Sequence, residues 1–512
     1  MSLSRRQFAQ HTLALAGASL MTKLDLDNNI AHAASAIEQG SPVEWLKLLA
    51  TGIEERQPTP LRTEGKIPDA LRGTLYRNGP GLFRRGGETK GNILDGDGMV
   101  QALRFDNGGT THQCRFVQTP KLIEEEEAGE FLYPTWTTKS PAGFLANVGG
   151  SGFKTQAGIT VYNVAGRLMA LDEVSPPYEL DPTTLQTMGP ATSGLSDGAA
   201  VKAHTKIDGQ SGEWVLFGNE FGPTMQLEAA IQSPDGNIHT LPKVESPRQV
   251  YMHDFMVTEN HVIFNLMPAF VDLLPFLSGY QSFADSLDWR PAEGNILAVM
   301  QKDGGSIQYY DVPGRWMWHA ANAYEHGNTI IADFVGYNMP DHFLGGESAF
   351  QKIMSGELGQ AEEPGRLYRY TIDLESGQAR EELIVDTALE FPGIHPKDAC
   401  HTHRRVYTSY GPHNKIFHSG IAATDTETGN IQTYDFGENV WVGEPIFVPA
   451  SGNHGGGAAS DDGWLIAQGL DGITRNSFYA ILSTTNLADG PVAITHLEGH
   501  LPYSFHGHWT DA

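Results

Sequence analysis

Residues 366–377 read RLYRYTIDLESG, and this stretch carries the clue to the fold. A short strand rich in aromatic and β-branched residues runs into Asp373-Leu-Glu-Ser-Gly377. There the aspartate side chain can cap a turn, and the glycine supplies a position with φ > 0. The same loose signature returns at Asp208-Gly-Gln-Ser-Gly212 and at Asp425-Thr-Glu-Thr-Gly429. Pro234-Asp-Gly236 and Asp303-Gly-Gly305 are further hairpin signals. Strand-like runs also occupy residues 213–220, 328–335 and 464–468, whereas helical periodicity is confined to residues 39–52 and the region near 348–357. No Pro/Ser-rich linker divides the chain, so the residues from about 70 onward read as one large all-β unit. A single sandwich is too small for this length, and a β-propeller closes its sheet edges by radial repetition. Common blade sizes give six to eight blades, and the repeat is too degenerate to count them.

Composition narrows the function. Of 512 residues, 40% are apolar and 10% aromatic, enough for a large core and against disorder. The 58 glycines fit a chain of many tight turns. A balance of 34 Lys+Arg against 61 Asp+Glu gives a net charge of −27, which repels phosphate backbones and excludes a nucleic-acid partner. Cys114 and Cys400 are the only cysteines, too few for a disulfide framework or a Cys-rich metal site. Twenty histidines leave imidazole as the ligand type in surplus.

Residues 1–33 read as an address. Arg5-Arg6, with Phe8 two residues on, precedes a short apolar run over residues 12–21 and then Ala31-His-Ala33. These are the charged, apolar and small-residue regions of an export signal, resembling the twin-arginine type. Its removal would take the charge to −28, since three basic and two acidic residues leave. No run reaches the ~20 apolar residues of a bilayer-spanning helix. The expected organisation is an export signal over 1–33, a lead-in with a short helix over 34–69, and a propeller over 70–512. The expected location is the periplasm or beyond, reached through the export machinery, a route for folded proteins.

Most histidines read as surface or core residues. His401-Thr-His403 would share one strand face, but Arg404-Arg405 beside it would oppose a cation. His413 and His454 read as loop residues. Four others stand in strand-like, apolar contexts: His204 in VKAHTK, His253 in VYMHDFMV, His319 in WMWHAANAYE and His506 in LPYSFHGHW. Their wide separation is no local metal motif; it suits one ligand from each of several blades meeting on the axis. His508 competes with His506, since the two face the same way on a strand.

These segments come with Gly73-Thr-Leu-Tyr-Arg-Asn-Gly-Pro-Gly-Leu82, Asp95-Gly-Asp-Gly-Met-Val100, Glu390-Phe-Pro with His395-Pro, and Gly443-Glu-Pro-Ile-Phe-Val-Pro449. Together, over roughly residues 42–512, they resemble the carotenoid cleavage oxygenase family. The resemblance implies a seven-bladed propeller with a loop-built dome over one axial Fe(II), held by His204, His253, His319 and His506. It favours His506 over His508, because the family's last ligand directly precedes glycine. Four neutral imidazoles suit Fe(II) and leave positions for O2 and substrate. Ligating rings need partners for their second nitrogen, and the family's glutamates map to Glu173, Glu390 and Glu444. A surface turn is the alternative for Glu173. Asn92 departs from the family, which often has histidine there; Asp95 and Asp97 read as a structural turn.

The function implied is oxidative cleavage by O2 of a C=C bond in an apolar conjugated substrate, a carotenoid or apocarotenoid, giving carbonyl products. Cleavage of a stilbenoid or phenylpropenoid is the rival, and a non-catalytic propeller binding protein a remote one. The lignostilbene-cleaving branch tends to carry a lysine just before the position of Glu173, where this chain has Asp172, expected to oppose a phenolate. Residues 267–283 read MPAFVDLLPFLSGYQSF, and Phe270, Leu273, Leu274 and Phe276 are expected to give either a buried dome loop or an apolar patch for weak membrane contact.

Overall fold

The computed structural model describes residues 43–106, 108–150, 154–450 and 462–512; the export segment and His454 lie outside the described residues. Seven antiparallel sheets of four to six strands form the blades of a β-propeller, with two small hairpins besides. Their innermost strands touch around the axis. His506–Asp511 packs on Thr160–Val164, Phe255–Val257 on Trp316–His326, then Leu389–Gly393 on Val440–Pro449, which returns to His506–Asp511. Apolar side chains alternate into clusters between neighbouring blades, such as Ile263, Val299, Ala332 and Tyr370 between the fourth and fifth.

The turns form as their residues dictate. Asp208, Asp373 and Asp425 each accept from the backbone N–H groups two and three residues on, at 2.8–3.1 Å. Gly212, Gly377 and Gly429 lie at φ 73°, 70° and 71°, where a side chain would be strained.

Both ends of the chain build the blade that closes the ring. Its innermost strand is the C-terminal His506–Asp511, paired with Gly73–Leu82 so that His506 lies opposite Asn78. Residues 56–65, read from sequence as lead-in, are blade strands. Arg56–Pro60 pairs with Gly109–Phe116 at the outer edge of the first blade, and Arg62–Gly65 with Pro491–His496 at that of the last. Pro58 and Pro60 hid this strand, because proline is tolerated only at a sheet edge. Over one end of the ring, the short helices Glu44–Ala50, Leu273–Leu277 and Ala349–Lys352 and their loops pack on a shared aromatic cluster. Residues 273–277 are helical despite Pro275, because Asp272 caps the turn by accepting from Leu274 N–H.

Candidate metal centre

Each of the seven blades sends one residue to the axis. His506 opens the innermost strand of the first blade, and Glu173 follows strand Arg167–Leu171 of the second. His204 sits in the gap between Ala200–Val201 and Lys206–Ile207, which both pair with Trp214–Glu220. His253 lies two residues before Phe255–Val257, outside the strand it was expected to share with Phe255. His319, Glu390 and Glu444 lie within Trp316–His326, Leu389–Gly393 and Val440–Pro449. All three of those strands slip register at the functional residue, between Met317 and Ala320, Glu390 and Gly393, and Val442 and Pro445. A bulge re-aims a side chain that regular alternation would point between blades.

The ligand atoms of His204, His253 and His319 all lie within 4.8 Å of one another. The Nε2 atoms of His204 and His253 are 3.0 Å apart, and the His506 ring centroid is 4.6 Å from those of both His204 and His319. Three rings are held from behind. His253 Nδ1 bonds Glu173, His319 Nδ1 lies 2.5 Å from Glu390 Oε2, and His506 Nδ1 lies 2.9 Å from Glu444 Oε1. These bonds place the Nδ1 proton toward the glutamate and leave each Nε2 lone pair free, the arrangement of a ligating imidazole. Burial, and then the neighbouring imidazoles, push the pKa of His204 well down; burial holds His506 at about 4. Both rings are therefore neutral at pH 7. Four imidazole nitrogen donors gathered this closely fit a divalent transition metal.

The glutamates are themselves secured. Glu173 is buried rather than on a surface turn, accepts from Tyr251 Oη at 3.0 Å, and has Lys202 Nζ at 3.4 Å. Burial opposes its charge, but His253, Lys202 and the hydrogen bonds outweigh this and lower its pKa. Glu444 also accepts from Gly507 N–H at 2.7 Å, with Arg77 at 3.7 Å. Glu390 takes the N–H of Phe391, a residue at φ 53° whose ring stacks on His319 at 5.1 Å. Positive φ at a bulky residue is strained, and here it places an aromatic face against the site.

Sequence reading missed Asp254. Its carboxylate accepts from Phe255 N–H at 2.7 Å and Ala320 N–H at 2.8 Å, and pairs with Lys206 at 2.8 Å. It thereby ties together the segments bearing His204, His253 and His319. A carboxylate inside the apolar run VYMHDFMV was the available signal, since a buried charge needs partners.

Other candidates are occupied elsewhere. His401 and His403 pair with Asp208 and Asp333. The ring of His508 lies against Tyr162 at 6.0 Å. Asn92 Oδ1 caps a 3-10 turn, Asp95 accepts from Thr137 and Thr138, and Asp97 pairs with Lys121. Asp172 is also turned away. It accepts from Thr155 Oγ1 and from the N–H groups of Gln156, Ala157 and Val174. The expectation that Asp172 opposes a phenolate is thereby removed, because its charge is spent on backbone outside the cavity.

Beside the histidines lies a narrow cavity of about 70 Å³, walled by Trp136, Trp318, Phe343, Phe350, Phe391 and Phe505 among others. Trp136 packs on Phe283 at 5.2 Å, and Phe283 on Phe276 at 5.6 Å. Beyond Phe276 the surface is apolar, with Leu274 79% exposed and Leu145 85% exposed alongside Phe144. The sequence-based patch needs correction at Phe270, which is half-buried with the Arg290 guanidinium 4.5 Å over its ring. Phe144 and Leu145, which that reading missed, pack beside the short helix instead.

Fold and site together define a propeller with an all-imidazole centre buried beside an apolar cavity. The chain belongs to the retinal pigment epithelial membrane protein family, the carotenoid cleavage oxygenases, whose pattern it matches over residues 50–511. It is 31% identical to the apocarotenoid-15,15'-oxygenase of Synechocystis sp. over 92% of this chain and 96% of that one. It is 29% identical to the isoeugenol monooxygenase of Pseudomonas putida over 88% and 94% of the two chains. The structure of cobalt-substituted Synechocystis apocarotenoid oxygenase superposes with a TM-score of 0.84 at 30% identity, covering 92% of this chain and 99% of that one.

Proposed function

We propose that this protein is a non-haem Fe(II) dioxygenase that splits a C=C bond of a carotenoid or apocarotenoid with O2, giving two carbonyl products. The observation that carries the reading is the cluster of four imidazoles, three braced by glutamates, beside an aromatic-walled cavity. His204, His253, His319 and His506 would hold one Fe(II), which supplies O2 activation when bound. Glu173, Glu390 and Glu444 keep three rings in the tautomer and orientation that ligation requires. The aromatic walls exclude water and hold an extended apolar chain in place, so that one alkene is presented to the site. The test is aerobic incubation of iron-loaded protein with carotenoids, apocarotenoids, stilbenes and isoeugenol, with products identified by mass. Carbonyl fragments of a polyene are the expected result, and no cleavage of any of them would overturn the reading. Cleavage of a phenylpropenoid is the second reading, favoured by the isoeugenol-cleaving relatives and by the turning away of Asp172.

The Arg5-Arg6 segment is read as a twin-arginine address that sends the folded protein to the periplasm. No helix among the described residues is long and apolar enough to cross a membrane. Leu274, with Phe144 and Leu145, is instead read as a weak landing surface for a membrane-dissolved substrate, which passes Leu273, Phe276 and Phe283 to reach the cavity. A net charge of −27 makes the attraction apolar rather than electrostatic.

A further inference from the structure

The cavity's polar groups nearest the histidines are committed to the site: the Tyr251 hydroxyl, for example, is donated to Glu173. One lining residue away from the histidines differs. His342 follows strand Thr329–Tyr337, is buried, and is packed between the rings of Tyr337 at 4.6 Å and Phe350 at 5.4 Å. The indole N–H of Trp318 donates to His342 Nε2 at 2.6 Å. An indole nitrogen can only donate, so Nε2 must present its lone pair. Burial lowers the His342 pKa to about 3, so the ring is neutral and its one proton sits on Nδ1. That Nδ1 is buried and makes no hydrogen bond among the described residues. A buried donor without an acceptor is costly, and native structures seldom keep one without a use. The same Trp318 stands edge-on to the His253 ring at 4.7 Å, which puts His342 one aromatic layer from the centre.

We propose that His342 is the polar anchor of the cavity, donating Nδ1–H to an oxygen carried by the substrate. The substrate is then an oxygenated conjugated chain, bearing a hydroxyl or carbonyl group, rather than a pure hydrocarbon. This deepens the oxygenase reading and rests on it for the place where the substrate lies. Trp318 fixes the tautomer, so the anchor can recognise an acceptor oxygen and offers nothing to a hydrocarbon terminus.

The experiment compares an all-trans apocarotenoid alcohol with the hydrocarbon of the same chain lacking the hydroxyl. Kd is measured by quenching of tryptophan fluorescence on iron-loaded protein without oxygen, and cleavage is read separately in air. Wild type should bind the alcohol roughly tenfold more tightly, the effect of one buried hydrogen bond. In His342→Phe the ratio of the two Kd values should fall to about one. His342→Gln, which can both accept from Trp318 and donate, should keep the preference. Should the phenylalanine variant not fold, His342→Met retains a weak acceptor for Trp318 with no donor, and should behave as phenylalanine would. A ratio near one in wild type, or a preference surviving in His342→Phe or His342→Met, overturns the anchor. If the alcohol is preferred but neither it nor any other member of the substrate panel is cleaved in air, the anchor stands and the oxygenase reading falls. If both chains are cleaved with equal Kd, the reverse holds.

Discussion

Lowering the pH from 7 to 5 should destabilise this protein well before its carboxylates titrate. His112 and His342 are both buried, and burial lowers each pKa to about 3 against an ordinary 6.5. Their folded-state pKa is depressed, so below pH 6.5 the unfolded chain takes up protons that the native state refuses. Stability therefore falls as pH falls, through the window between 6.5 and about 3. At pH 5 each ring has lost about 1.5 pH units of linkage, or about 2 kcal/mol, and the pair about 4 kcal/mol. His418 and His508, also lowered by burial, act in the same direction, whereas Asp172 and Glu381, whose pKa burial raises, act against it. Set against a typical stability of about 5–15 kcal/mol, it is a large loss. The measurement is the urea midpoint of the protein at pH 7, 6 and 5. His112→Gln removes one ring from a site remote from the axis, beside Gln101 and Tyr479, and should recover about 2 kcal/mol of the loss. An unchanged midpoint between pH 7 and 5, or an unchanged slope in His112→Gln, would refute the reasoning.

Four further outcomes are expected. His253→Ala or His319→Ala should lose bound metal and activity together, read by elemental analysis, whereas His508→Ala should keep its metal because that ring faces Tyr162. Glu390→Gln and Glu444→Gln should each cost about 10–100-fold in metal affinity or activity, since a ligand ring loses its charged partner. Lys-Lys in place of Arg5-Arg6 should strand the precursor in the cytoplasm, seen by fractionation of a bacterial host. Leu274→Ser combined with Leu145→Ser should lower turnover of liposome-held substrate but not of a soluble apocarotenoid, independently of salt.

The turns were legible because aspartate and glycine act locally: each Asp-x-x-x-Gly closes on its own backbone. The four histidines were legible through their apolar strand contexts and the family resemblance, although the spacing by itself proved nothing. What stayed hidden was set by distant chain. Alternation would have aimed His319 by its neighbours in sequence, whereas the register slip between the Met317–Gly336 and Ala320–Phe334 pairs decides its direction. Asp172 and Glu173 are adjacent, yet one serves the Thr155 hydroxyl and the backbone of residues 156–157 and the other a histidine eighty positions away. Edge strand Arg56–Pro60 was masked by its prolines, and the apolar surface was split between residues 144–148 and 273–277, far apart in the chain.

The innermost strand of the first blade, His506–Asp511, is made long after its partner Gly73–Leu82, and it brings His506 with it. A chain made only as far as residue 505 can gather His204, His253 and His319 but has neither the fourth imidazole nor the strand that pairs with Gly73–Leu82. If these four imidazoles hold one ion, full coordination and mechanical completion of the ring are a single event. An ion gripped by all four imidazoles would report that the ring had closed, and would pin that strand from inside. Metal content would then measure how many molecules had closed the ring, and chelation should loosen strand His506–Asp511 before the other blades.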